Sequence, residues 1–445
     1  MKILIFGYGL HGGGFDCARY FLERGDEIRI TDIRSRETLG GSIDYLERKG
    51  AVIHCGGHMT EDFQWADVVI KAPSIRSNNE FLHYAKKVEN DISFISTRPE
   101  VKNIKIICVT GSSNKSTTAS AICHALNKLG CKAHMFGNMG NSAFSEVRRW
   151  NEGDIPEYIV IELSTWLARD TYTFMNGKVP QVKASVITSI FSQNDSTNPT
   201  DQANSANEAN ADILVTGEYN IHSDYIICPQ EVKEKINKRA SKKAKKITTI
   251  ESTSKTMSKS LSERMQPSFA VLKTLGFSTG QINKALKSYK GIPHRNELVA
   301  RTGCTMFIND SSSIMPAAVN FTMENFESLL VHLICGGSDG SQDPQPMLKA
   351  LKTAASVYLL DGSFTREKLM PMLEENEIMY HGPYEKMEEA ILVASSKLNQ
   401  ESNIMQVVLL SPGAMAFESF GTEHDRGDAF KTAVNQLVHQ DSLSI

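Results

Sequence analysis

The sequence offers little that would tie it to a membrane, a nucleic acid or an oxidising compartment. No uninterrupted apolar stretch approaches the length needed to cross a bilayer. The first residues, Met1-Lys-Ile-Leu-Ile-Phe-Gly7, read as a short strand running into glycine rather than as a secretion signal. Positive charge is not in excess: 48 Lys and Arg face 51 Asp and Glu, a net charge of −3. That balance argues against a nucleic-acid partner. The eight cysteines lack paired metal-ligand spacing, which fits reduced thiols in a cytoplasmic protein. Several lie in apolar runs, where a thiol acts as a small buried hydrophobe.

What is present is the alternation of an α/β protein. Short apolar runs at Lys2–Phe6, Glu27–Thr31, Val52–His54, Val68–Lys71 and Ser93–Ile95 are separated by helical patterns. A second unit starts at Ile104 and carries strands at Ile104–Val109, Tyr158–Glu162 and Ala184–Ile190. A third follows the turn Gly291-Ile-Pro-His-Arg295, with strands near Met306–Asn309, Leu329–Ile334, Ser356–Leu360 and Val407–Leu410. Strands separated by helices imply largely parallel sheets, with ligand sites beyond their carboxyl ends. Ser192–Asn210, rich in Asn, Ser, Asp and Thr, reads as a loop. Lys233–Lys246, with eight basic residues, reads as a solvated helix.

Two loops carry phosphate chemistry. Val109-Thr-Gly-Ser-Ser-Asn-Lys-Ser-Thr-Thr118 joins an apolar strand to a helical pattern that continues through Leu129. In such a loop the backbone amides from Gly111 through Ser112, Ser113 and Asn114, with the helix N-terminus, surround phosphate oxygens. Lys115 would reach the β- and γ-phosphates, and Ser116, followed by Thr117, would ligate Mg²⁺. The other loop, Gly7-Tyr-Gly-Leu-His-Gly12, follows the first strand, and Asp32 closes the next. Gly7, Gly9 and Gly12 permit a tight turn against a diphosphate, and Asp32 can accept hydrogen bonds from a sugar or base. The bland alternative is a close-packed turn with no ligand. A dinucleotide oxidoreductase has only these glycines behind it.

From end to end the chain resembles the Mur ligases, and within them the branch that adds D-glutamate. The resemblance rests on both loops, on Gly137-Asn-Met-Gly140 and Ile161-Glu-Leu-Ser-Thr-Trp166, and on Gly291-Ile-Pro-His-Arg-Asn-Glu297. Ile308-Asn-Asp-Ser311, Gly336-Gly-Ser-Asp-Gly340, and Leu410-Ser-Pro-Gly413 followed by Asp425-Arg-Gly427 complete it. It implies three domains: UDP-binding and Rossmann-like at 1–99, P-loop ATP-binding at 100–296, and amino-acid-delivering and Rossmann-like at 297–445. The implied reaction phosphorylates the carboxylate of UDP-N-acetylmuramoyl-L-alanine with ATP and Mg²⁺, and an amino acid then attacks the acyl phosphate. The implied partners are this nucleotide sugar and an amino acid, with the chain a monomer. By resemblance Lys115 serves the γ-phosphate, and Ser116 and Glu162 serve the metal. Asn138 would contact the nucleotide sugar, and Gly7, Asp32 and Arg34 would hold UDP. Arg295 would sit on ATP phosphates and Asp310 on its ribose, with Ser411 and Phe420 at the amino acid. The structural alternatives are a helix cap for Glu162, a plain turn for Asp310 and an interdomain salt bridge for Arg295.

The departures from the family pattern fall on the chemistry. Asn114 replaces the glycine before the lysine. Gln193-Asn194 stands for an Asp-His pair that binds a second Mg²⁺, and Asn210 for a lysine that is normally carbamylated. The adenine-approaching segment has no counterpart in Ser258–Arg264. Ser312 and Ser341 stand for lysines, the second a grip on the D-glutamate side-chain carboxylate, and Ala416 for a serine. Losing one such group typically removes ~10²–10³ in rate. Two classes of function follow: a working ligase, or a silent relative that binds a UDP-sugar or a protein as regulator or scaffold.

Overall fold

The computed structural model describes residues 1–9, 13–39, 42–111, 114–137, 142–188, 222–233, 244–250, 265–340, 342–398 and 404–442. Their strands form three sheets. The first contains β1 (Lys2–Phe6), β2 (Glu27–Asp32), β3 (Val52–Cys55), β4 (Val68–Lys71) and β5 (Val88–Glu89), in the order β3-β2-β1-β4-β5. Its pairs are all parallel. The second contains β6 (Lys105–Thr110), β7 (Ala133–Gly137), β8 (Tyr158–Glu162), β9 (Val182–Ile187), β10 (Ser223–Pro229) and β11 (Lys246–Ile250). Its order is β11-β10-β9-β6-β8-β7, again with parallel pairs. The third contains β12 (Glu297–Thr302), β13 (Thr305–Asn309), β14 (Leu330–Gly336), β15 (Ser356–Leu360), β16 (His381–Tyr384) and β17 (Gln406–Leu410). Its order is β12-β13-β17-β14-β15-β16, parallel except for the β12–β13 hairpin.

Central strands such as β4, β8 and β17 are buried at every residue. That is the pattern of a parallel sheet covered by helices on both faces. It is also why their sequences are continuous apolar runs rather than alternating ones.

Two expectations need correction. Ser93–Ile95 lies inside a helix, Asp91–Ser96, and not in a strand. The Asn90 side chain accepts from the Ser93 amide at 2.7 Å, and the Ser93 hydroxyl accepts from the Asn90 amide at 2.9 Å. This reciprocal cap nucleates a helical turn where a short apolar run alone suggests a strand. Lys246, expected at the end of a basic helix, begins β11; residues 234–243 of that segment lie outside the described residues.

The described residues divide into two compact bodies, one ending at Tyr289 and the other starting at Lys290. In the first body one hydrophobic core runs through both sheets. Helix α1 (Gly13–Glu23) supplies Tyr20 and Phe21 to it, and helix Ala143–Asn151 supplies Phe144. The Phe21 and Phe144 rings lie 5.4 Å apart, and Phe94 stands 5.1 Å from Phe21. In the second body helices cover both faces of the third sheet, forming two apolar clusters.

Candidate active site

The phosphate loop sits where the chain leaves β6, whose neighbours β8 and β9 lie on opposite sides. Such a switch of direction opens a crevice at the strand ends. Gly111 leaves the strand at φ +134° and Asn114 takes φ +60°, both left-handed values. Glycine adopts this freely, and asparagine tolerates it better than other residues with a side chain. Lys115 then opens a 14-residue helix, Lys115–Lys128. Thr118, Ala119, Ala121, Ile122, Ala125 and Leu126 bury the face that holds this helix on the sheet. Thr117 lies in its first turn; Ser112 and Ser113 lie outside the described residues.

Glu162 ends β8 directly beside Val109 of β6, and only 1% of it is exposed. The Ser116 hydroxyl donates to its Oε1 at 3.0 Å. The following helix, Thr165–Phe174, is capped by Ser164. Glu162 therefore faces the phosphate loop and does not serve as that helix's cap. Gly137, paired with Glu162 across β7 and β8, has φ +121°, and a Cβ there would lie 2.2 Å from the Glu162 carbonyl oxygen. Only glycine permits this approach, a constraint that periodicity does not reveal. Asn138 lies just beyond the described residues.

These groups fit the ligands that the sequence implies. A hydroxyl and a carboxylate 3.0 Å apart are hard oxygen donors suited to Mg²⁺. A left-handed turn feeding a helix N-terminus, with a lysine at its start, suits a polyphosphate.

In the first sheet, Gly7 has φ +87°, and a Cβ there would meet Ile75 Cδ1 at 2.7 Å. Gly9, at φ +73°, has open space at the same point, and Gly12 lies outside the described residues. Asp32 is only 2% exposed and turns inward. Its carboxylate accepts from the Tyr8 amide at 2.8 Å, the Gly9 amide at 3.4 Å and the Arg34 amide at 3.0 Å. The Arg34 guanidinium adds a contact at 3.3 Å. Asp32 thus fixes the glycine turn from below, while the Arg34 side chain keeps about a third of its surface in solvent.

In the second body the remaining candidates separate by burial. Arg295 is exposed between two left-handed residues, His294 at φ +62° and Asn296 at φ +48°, and pairs with no acid among the described residues. Asp310 is buried. It accepts from the hydroxyls of Ser313, Thr322 and Ser411 at 2.5, 2.5 and 3.0 Å and from the Asn296 amide at 3.1 Å. Burial pushes its carboxyl up, opposed by those hydrogen bonds. Ser411 is buried against Asp310, and Phe420 is half-buried with its amide on the Ala416 carbonyl. Ala416 is itself buried, and the Ser312 amide donates to the His294 carbonyl. Ser341, Asn194, Asn210 and Ser258–Arg264 lie outside the described residues.

Arg426, quoted in a motif but assigned no role from sequence, is fully buried. Its guanidinium donates to the Ser311 carbonyl at 3.0 Å and to the carbonyls of Ala414 and Met415 at 3.1 and 2.9 Å. It binds together the loops that follow β13 and β17. Burial lowers its pKa to about 9, opposed by the charge of Glu423.

No family model matches the chain. The curated UDP-N-acetylmuramoylalanine–D-glutamate ligase of Borreliella afzelii (strain PKo) is 29% identical over 98% of each chain. The protein of the same description from Bacillus subtilis (strain 168) is 27% identical over 96% of each. Among solved structures, UDP-N-acetylmuramate–alanine ligase MurC from Thermotoga maritima aligns with a TM-score of 0.55. That alignment covers 98% of this chain and 99% of that one at 16% identity, a likeness of fold. In sequence and in fold the chain is similar to the Mur ligases. Within that class its curated relatives are of the MurD type, the D-glutamate-adding ligases.

Proposed function

We propose that the chain is an ATP-dependent ligase that adds D-glutamate to UDP-N-acetylmuramoyl-L-alanine, acting in the cytoplasm as a monomer in peptidoglycan precursor synthesis. The observation that carries this reading is the Ser116–Glu162 contact of 3.0 Å beside the left-handed phosphate loop. It keeps the metal's oxygen donors together despite the substitution at Asn114.

In this reading a carboxylate oxygen of the nucleotide sugar attacks the γ-phosphorus of ATP, and ADP leaves. The amine of the amino acid then attacks the acyl carbon through a tetrahedral intermediate. The carbon–oxygen bond breaks, phosphate departs with its electrons and the nitrogen gives up a proton. Both steps concentrate negative charge, so the protein's task is positioning and electrostatic stabilisation. Lys115 and the amides at the N-terminus of Lys115–Lys128 neutralise the γ-phosphate, and Gly111 and Asn114 shape the turn around it. Ser116 and Glu162 would hold Mg²⁺, which neutralises charge on the phosphates. Arg295 is exposed on its turn, and Asp310 holds that turn by accepting from the Asn296 amide at 3.1 Å.

No observation favours the silent-regulator reading over this one. The test is phosphate release from ATP in the presence of UDP-N-acetylmuramoyl-L-alanine and D-glutamate. Release that needs both substrates and vanishes in Lys115→Ala is the expected result. Its absence in the unmodified chain would reject the ligase reading.

A further inference from the structure

The sequence leaves the loop Gly336–Gln342 without a cation of its own, since the position expected to hold lysine is Ser341. The structure brings one in from elsewhere. Lys368 Nζ lies 2.9 and 2.8 Å from the two carboxylate oxygens of Asp339 and 3.1 Å from the Gln342 carbonyl. We propose that Lys368 is the group that recognises a carboxylate of the incoming amino acid, an assignment that rests on the ligase reading.

Three observations fix Lys368 against this loop. It lies on a π-helical turn, Thr365–Leu369, a rare conformation that recurs at functional sites. That turn is tied to the loop, because the Gly337 amide donates to the Thr365 hydroxyl at 2.8 Å. The backbones also touch: a Cβ on Gly362 would lie 2.3 Å from the carbonyl carbon of Gly337.

The charges around Lys368 suit a zwitterion. Asp339 holds the ammonium, and the Asp339 amide donates to the Ser363 hydroxyl at 2.9 Å. Glu418 brings a second carboxylate, accepting from the Ser363 amide at 2.8 Å and from its hydroxyl. An amino acid offers an amine to such acids and a carboxylate to the lysine. Two other cations of this body are engaged differently: Arg426 is buried on backbone carbonyls, and Arg366 is held by Asp361 at 2.8 Å. Lys368 keeps 32% of its side-chain surface exposed. A carboxylate arriving there exchanges with Asp339 for the same ammonium.

The test uses the full chain with Lys368→Met and Lys368→Arg. The Met variant should raise the KM for D-glutamate ~10–100-fold, the value of one charge-assisted hydrogen bond. Its kcat and its KM values for ATP and the nucleotide sugar should hold, and Lys368→Arg should recover most of the loss. D-norvaline, which has no side-chain carboxylate, tells which carboxylate is read: a KM unmoved by the Met variant assigns the side-chain group, and a parallel rise assigns the α-carboxylate. An unchanged KM for D-glutamate, or a fall in kcat alone, overturns the proposal. Titration of D-glutamate into the chain, loaded with the nucleotide sugar and a non-hydrolysable ATP analogue, separates this assignment from the ligase reading. Lys368-dependent binding in this titration, together with no phosphate release when ATP replaces the analogue, would reject the ligase and keep the assignment. No binding of D-glutamate, or binding indifferent to Lys368, would reject the assignment.

Discussion

Asn114 occupies the left-handed backbone that a phosphate loop requires just before its lysine, at φ +60° and ψ +11°. Its side chain makes no cap to the helix it precedes. The backbone torsion accounts for asparagine here, since it takes the left-handed region more readily than other residues with a side chain. Asn114→Gly should leave the melting midpoint nearly unchanged, because glycine adopts this conformation at no steric cost. It should also lower the KM for ATP. Asn114→Val should destabilise by about 1–2 kcal/mol, as a left-handed conformation costs a residue with a full side chain that much, and more for a β-branched one. Thermal unfolding and ATP saturation curves on the two variants check this. A valine variant as stable as the original would show that the loop does not hold Asn114 left-handed. The lysine, the serine after it and the glycine at the head of this loop are legible in sequence because their order is local. The constraint on Asn114 is legible only as a departure, until its torsion is known.

At the scale of elements, the pairing of β7 with β8 sets where Glu162 points. Gly137 is the narrowest place in that pairing, with its missing Cβ 2.2 Å from the Glu162 carbonyl oxygen. Gly137→Ala should push the strands apart and withdraw the carboxylate from Ser116. A displacement of about 1 Å at a catalytic group can cost ~10² in rate, so turnover should fall by that order. Full turnover in this variant would mean that Glu162 is not positioned by β7. Runs such as Ile104–Val109 and Tyr158–Glu162 announce their strands because both faces are buried. Strands β7, β10 and β11 carry polar residues such as His134, Asp224 and Thr249 and escape that rule. The two-residue β5 is too short to leave a periodic signature. The helix Asp91–Ser96 misleads because its signal is a cap, Asn90 with Ser93, and not a period.

At the scale of the molecule, three sheets are legible in the alternation of strands and helices, while the grouping of their cores is not. Phe21, Phe94 and Phe144 join the first two sheets across more than a hundred residues of chain, and pattern alone carries no such contact. Lys368 escapes sequence reading for the same reason, since it meets Asp339 from 29 residues away. Sequence reading finds positive groups removed from the site; the structure finds Lys368 against the loop that lost one of them. The central claim is that this architecture transfers phosphate onto a carboxylate and then replaces it with an amine. The most direct measurement uses UDP-N-acetylmuramoyl-L-alanine whose alanyl carboxylate carries heavy oxygen. Mass analysis of the phosphate released with ATP and D-glutamate should find one labelled oxygen per phosphate, passed on when the acyl carbon–oxygen bond breaks. Phosphate released without label would mean that water, not the substrate carboxylate, had received the phosphoryl group, and would contradict the account.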